Sequence, residues 1–185
     1  MIHSIFPVYV GEYDLRNYYK KSILLDFLDQ PSNYVNHKLI LNGKSSYTNS
    51  KILNNSTFLD LRNKIQECVH DYCLKTKMLT PIIDNSWSNI MYNKGKTHPH
   101  IHNVSTLSGA YYPLLEENTC NLIFKQPNES FYQNMYNLSH ESFQSFHRID
   151  IKQDYLYIFP STLNHQTEEN RGGKRIVISF NTKYE

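Results

Sequence analysis

Residues 98–102 read HPHIH. On an extended chain, residues i and i+2 point to the same face, so His100 and His102 can turn two imidazoles toward one ion. A facial metal site needs a third ligand from elsewhere. His165, in FPSTLNHQ, is the best candidate, because it follows the apolar run DYLYIFP and a turn, where a ligand at a strand mouth belongs. Further on, Arg175 opens RIVISFN. A charge inside so apolar a strand is costly unless it meets an anion, and the planar guanidinium fork suits a carboxylate held in two hydrogen bonds. Three imidazoles and one arginine of this kind describe a metal site beside a carboxylate-binding site.

Such groups need strands to carry them, and the chain after Pro81 provides strand-like sequence. The runs IIDNSWSNIMYN, HIHNVSTLSGAYYP, CNLIFKQP, DYLYIFP and KRIVISFNTKY are short and rich in β-branched and aromatic residues. The turn signals NKGK, EENT, QPNE and RGGK separate them. These predict mostly antiparallel strands over 82–185, with 127–147 a long insertion or loop. The part before Pro81 reads differently. Residues 2–10 predict a strand ending at Gly11. Residues 14–29 predict a helix with Leu15, Tyr18, Tyr19, Ile23 and Phe27 on one stripe, ended by Pro31 and Ser32. Residues 32–56, rich in Asn and Ser, read as a surface excursion. A second helix runs from about Thr57 to Lys77; Thr57 and Asp60 have capping-box spacing, and Phe58, Leu61, Ile65, Cys68, Val69 and Tyr72 form its apolar stripe. The expectation is one α+β domain: an N-terminal elaboration, 1–81, whose helices pack on a sandwich or barrel of strands formed by 82–185.

The bulk properties narrow the classes. A chain of 185 residues is long enough for a real core, and a mean hydropathy of −0.58 describes an ordinary soluble protein. The 15 tyrosines suit half-buried strands and polar pockets. A formal charge of +2 with scattered basic residues carries no nucleic-acid signal. No segment is long enough to span a membrane, and the N-terminus lacks the basic and apolar regions of a signal peptide. The three cysteines, Cys68, Cys73 and Cys120, show no CxxC spacing, which argues against a disulfide framework or a thiolate zinc site and for a reducing cytoplasm.

The pieces Trp87-Ser88-Asn89, His100-Ile101-His102, Ser108-Gly109-Ala110-Tyr111-Tyr112, Phe159-Pro160-Ser161, His165 and Arg175-Ile176-Val177-Ile178-Ser179-Phe180-Asn181 stand in a telling order. In that order the chain resembles the 2-oxoglutarate/Fe(II)-dependent oxygenases, prolyl-hydroxylase-like, and within them a little-characterised bacterial and phage group. The resemblance covers about residues 82–183. It implies a double-stranded β-helix, or jelly roll, with Fe(II) as metal and 2-oxoglutarate as small-molecule cosubstrate. It implies that His100 and His165 are the first and distal histidine ligands and that Arg175 pairs with the far carboxylate of 2-oxoglutarate. Tyr112 matches a strand tyrosine that helps bind that carboxylate, and Asn89 would face the same pocket. The family's register makes His100 and His102 the pair; His98, one pleat too early and followed by Pro99, is expected in solvent or behind a ligand. One departure stands out: the usual triad is two histidines and a carboxylate, and here His102 occupies the carboxylate's place.

The activity expected is hydroxylation coupled to oxidative decarboxylation of 2-oxoglutarate. The prime substrate, a protein, a peptide or a small molecule, is not legible, nor is the oligomeric state. Two other classes fit part of the pattern: a cupin-like three-histidine metalloenzyme that does not use 2-oxoglutarate, and a non-catalytic ligand-binding β-sandwich. Trp87 is expected in the core, Ser179 as an ordinary strand residue, and His3, His37, His70, His140 and His147 at the surface.

Overall fold

The computed structural model describes residues 7–16, 18, 21–127 and 145–185. Its centre is the strand β9, Arg175–Lys183, buried along almost its whole length. Ile176, Ile178 and Phe180 turn one way into a large apolar cluster, while Arg175, Val177, Ser179 and Asn181 turn the other way and line a cavity. A strand buried on both faces has no room for an apolar–polar alternation driven by water. Here the alternation is between core and site.

β9 lies between β3 (Ile82–Thr97) and β4 (Leu107–Leu115). With β1 (Gly11–Asp14), β2 (Ile40–Ser45) and β7 (Tyr155–Pro160) these make a six-stranded sheet, ordered β1-β7-β4-β9-β3-β2, with antiparallel neighbours. A second sheet, β6-β5-β8, is built from Leu122–Lys125 (β5), Phe146–Ile149 (β6) and His165–Thr167 (β8). The site opens between the two sheets, as in the jelly roll expected.

Two helices, α1 (Lys21–Leu28) and α2 (Leu59–Thr76), cover the far face of the large sheet. Leu61, Ile65, Cys68, Val69 and Tyr72 of α2 are buried there with Leu24 and Leu28 of α1. At the sheet surface Gly109 sits opposite Phe180, whose ring lies where a Cβ on Gly109 would be, with carbons 2.2 and 2.3 Å away. No helix among the described residues is long and apolar enough to cross a membrane.

Several sequence expectations need correction. The strand expected over 2–10 is displaced: residues 1–6 lie outside the described residues, 7–10 have no regular structure, and β1 begins at Gly11, where the strand was expected to end. The first helix is only Lys21–Leu28, and its buried pair is Leu24 and Leu28, with Ile23 exposed. Leu15 reaches the core from the turn after β1, and Tyr19 lies outside the described residues. Before α2 a 3-10 turn, Ser56–Phe58, replaces the capping box; the Asn55 side chain accepts from the Thr57 N–H at 3.0 Å. The segment 32–56 is no mere excursion. It contributes β2 to the sheet and buries Tyr34, Ile52 and Leu53 in the core. NKGK does not end β3 but bulges it: Leu41 pairs with Lys96 and Gly43 with Met91, and Lys94 takes a positive φ of 61°. β6 and β8 are too short to show a period, and of 127–147 residues 128–144 lie outside the described residues.

Candidate active site

The cavity between the sheets has a volume of about 350 Å³. Its floor follows strand parity. Ser108, Ala110 and Tyr112 of β4, Trp87 and Asn89 of β3, and Arg175, Val177, Ser179 and Asn181 of β9 all line it. No aspartate or glutamate is among its lining residues.

At one end stand the histidines. His100 and His165 form an antiparallel bridge and exchange both backbone hydrogen bonds at 3.0 Å. The bridge places their rings on one side, 4.2 Å apart at the centroids. His102 donates its backbone N–H to the Ser161 carbonyl at 2.9 Å, and its ring stacks on that of His165 at 5.3 Å. One nitrogen from each of the three rings lies within 4.8 Å of the others. Neither His100 nor His102 is on a regular strand, so their convergence depends on being zipped onto the β7–β8 corner.

The ring hydrogens of two are fixed by their partners. His100 Nδ1 is 2.8 Å from the His98 carbonyl and His165 Nδ1 is 2.9 Å from the Leu163 carbonyl. A carbonyl only accepts, so Nδ1 carries the hydrogen and Nε2 keeps its lone pair. Burial keeps all three rings neutral. It is the main cause that pushes His165 down to about 3 and His102 to about 4, with the nearby His100 adding to both, and it also lowers His100. His100 and His165, neutral and with free Nε2 atoms, and a third neutral imidazole beside them are a donor set suited to iron, zinc, nickel or copper, so the residues present fit a metal.

At the other end lies Arg175, 2% exposed. Its Nη2 donates to the Tyr112 hydroxyl at 3.2 Å, its Nη1 reaches the Met91 sulfur at 3.8 Å, and its carbon lies 4.9 Å from the centre of the Tyr112 ring. Its Nε is buried with no partner, and no ion pair holds it among the described residues. Asn89 Oδ1 is likewise buried without a partner. Burial raises the Tyr112 phenol, and the Arg175 charge works against that rise.

Of the residues picked from sequence, His100, His102, His165, Arg175, Tyr112 and Asn89 all line this one cavity. His98 is exposed and outside the cluster; its carbonyl, not its ring, serves the site. Three expectations change. Trp87 is buried but forms cavity wall, edge-on to Tyr47 at 5.1 Å and 5.8 Å from His102. His37 is half-buried at the mouth against Tyr47, not a plain surface residue. Ser179 lies on the floor. His70 and His147 are exposed, as expected, while His3 and His140 lie outside the described residues. Ser108, Ser161 and Asn181 stood in the motif pieces, but sequence reading gave them no place in the site, where Ser108 Oγ contacts Ser161 Oγ and Asn181 Oδ1. Counting in twos from Tyr112 and from Arg175 would have reached Ser108 and Asn181.

Comparisons with known proteins bear on the family and the fold. The model of the family "Putative 2OG-Fe(II) oxygenase" matches residues 85–181, more than half the chain. No curated protein sequence matches it. Among solved structures, a prolyl-4-hydroxylase from Pseudomonas putida superposes with a TM-score of 0.66 at 7% identity, over 95% of this chain and 92% of that one. HygX from Streptomyces hygroscopicus, solved with nickel and 2-oxoglutarate bound, gives a TM-score of 0.62 at 8% identity, over 95% and 82%. An oxidoreductase of the 2OG-Fe(II) oxygenase family from Burkholderia pseudomallei gives 0.53 at 8% identity; 69% of this chain matches it, and the match spans only 56% of that protein. At such identities the structures speak for the jelly-roll fold, and the matched stretch, which contains all three histidines and Arg175, speaks for the lineage: the chain belongs to the 2OG-Fe(II) oxygenase family.

Proposed function

We propose that the chain is a 2-oxoglutarate- and Fe(II)-dependent oxygenase that hydroxylates a prime substrate. One observation carries the reading: three neutral imidazoles converge at one end of a cavity whose other end holds a buried guanidinium with no carboxylate partner among the described residues. His100, His102 and His165 would hold the metal. Bound Fe(II) supplies the redox chemistry that activates O2. The balance is 2-oxoglutarate, O2 and a C–H bond in, and succinate, CO2 and C–OH out.

The chain's own residues bind and orient. Arg175 meets the distal carboxylate of 2-oxoglutarate with its unpaired donors, and Tyr112 adds its hydroxyl. The small side chains of Ala110 and Ser179, cross-strand partners on the floor, leave room for the cosubstrate between Arg175 and the histidines. Trp87, Phe159 and Val177 limit water around it. The prime substrate enters past His37 and Tyr47. A cupin-like centre without 2-oxoglutarate would leave Arg175 buried with no task. We assign the chain to a reducing cytoplasm, in keeping with three buried, unpaired cysteines.

The test is anaerobic titration of the metal-free protein with Fe(II) and then 2-oxoglutarate. A metal-to-ligand charge-transfer band at one equivalent of each supports the reading. Stoichiometric iron without the band favours the cupin-like reading, and no iron at all sinks both.

A further inference from the structure

His102 differs from its two partners in one respect. The Nδ1 atoms of His100 and His165 face backbone carbonyls, but His102 Nδ1 faces a side-chain amide: Asn181 Nδ2 lies 3.3 Å away. Asn181 Oδ1 in turn accepts from Ser108 Oγ at 2.7 Å, and Ser108 Oγ is 2.9 Å from Ser161 Oγ. Asn181, Ser108 and Ser161 are all buried.

The direction of this chain has a consequence. An amide nitrogen only donates. While Asn181 Nδ2 faces His102, Nδ1 must accept, and the ring hydrogen then sits on Nε2. With Nδ1 taken by Asn181, Nε2 is the atom left for the metal centre. An Nε2–H is a donor without a lone pair and cannot ligate. For His102 to ligate, one proton must leave Nε2 and one must arrive at Nδ1, with no net gain or loss. Nδ1–H then needs an acceptor. A half-turn of the Asn181 amide provides it, bringing Oδ1 to His102 and Nδ2 to Ser108 Oγ, while the Ser108 hydrogen turns to Ser161 Oγ. Both directions keep each contact paired, which only an amide, a donor and an acceptor of equal reach, allows.

We propose that Asn181 is a positioning residue that makes His102 a conditional ligand: His100 and His165 are preset to bind, and His102 joins only when the Asn181 amide turns over. The proposal rests on the reading of these three histidines as a metal centre.

The test uses the full chain with 15N-labelled histidine and two-bond 1H–15N spectra, which report which ring nitrogen carries the hydrogen. In the metal-free protein, His100 and His165 are expected as Nδ1–H and His102 as Nε2–H. Zn(II), closed-shell and free of redox chemistry, should convert His102 to Nδ1–H. In Asn181→Asp the carboxylate only accepts, so His102 should already be Nδ1–H without metal, and Zn(II) should bind about tenfold tighter or more. Asn181→Leu offers no acceptor and should weaken Zn(II) by roughly 10–100-fold, the usual range for removing a partner of a ligating histidine. The proposal is overturned if His102 is already Nδ1–H in the metal-free protein, if it stays Nε2–H with Zn(II) bound, or if Asn181→Asp leaves its tautomer unchanged. These spectra need no Asn181→Leu protein, so poor folding of that variant does not shield the proposal. Failure of the metal centre itself looks different: Zn(II) would then leave the Nε2 signals of His100 and His165 unmoved.

Discussion

His100 and His165 are partners in an isolated antiparallel bridge, and both hydrogen bonds of that bridge are 3.0 Å long. Their rings are therefore brought together by main chain. Removing either side chain leaves the bridge standing. His100→Ala and His165→Ala should accordingly stay folded while losing metal affinity by about a hundredfold or more, beyond what removal of an outer partner costs. Equilibrium dialysis followed by elemental analysis measures this. Wild-type metal content in both variants would show that the ion sits elsewhere.

The other end of the cavity separates cosubstrate from metal. Arg175 touches Tyr112 and Met91 but no histidine. Arg175→Leu should leave iron bound and weaken 2-oxoglutarate. Losing one partner of a buried charge pair costs on the order of 2–5 kcal/mol, or well over tenfold in affinity. Calorimetry with 2-oxoglutarate on the metal-loaded protein reads it, and an unchanged affinity would remove Arg175 from the cosubstrate site.

What could be read in the sequence follows from range. Arg175 in an apolar run is a local pattern that strand parity aims; the HxH spacing of His100 and His102 is also local, but their rings converge only because the segment is hydrogen-bonded to Ser161 and His165. The pairing of His165 with His100 spans the two ends of the sheet-forming half, and only the order of motifs pointed to it. The contribution of His37 and Tyr47 to the mouth was not legible, because it depends on β2 pairing with β3 at the sheet edge. The same applies to Trp87: an indole on a strand reads as core, and only the second sheet decides that its face borders a cavity. The stripe expected over 14–29 held only in part, with Phe27 at the edge of the core and Ile23 outside it. Leu24 and Leu28 repeat at the same spacing as Ile23 and Phe27, and the helix's packing against the sheet chooses between the two stripes.

Gly109 tests the sheet beneath the site. A Cβ there would meet ring carbons of Phe180 at 2.2 and 2.3 Å, inside a core with no room to yield. Gly109→Ala should destabilise by about 1–3 kcal/mol, as overpacking does, and so lower Tm by several degrees at ~2–4 °C per kcal/mol for a chain of this size. A thermal melt decides. The pair Gly109→Ala with Phe180→Leu should recover part of the loss, whereas no recovery would place the strain elsewhere.

The histidines also set a pH response in the metal-free protein. His165 is held down to about 3 and His102 to about 4, and His100 is lowered as well, first by burial in each case. In the unfolded chain all three return to the ordinary value of about 6.5. Between that value and the folded ones, the unfolded state binds more protons than the folded state, so stability rises with pH across this window. Their contribution is complete above about 6.5 and is lost as pH falls toward 4 and then 3. His37, also lowered by burial, acts in the same direction. Denaturant melts in the presence of a chelator should show stability falling steadily on acidification from about 6.5, beginning above the range where carboxylates titrate. His165→Gln removes the most depressed of these groups, so its melts should show a shallower slope. A slope equal to wild type would mean that His165 is not buried in the neutral form.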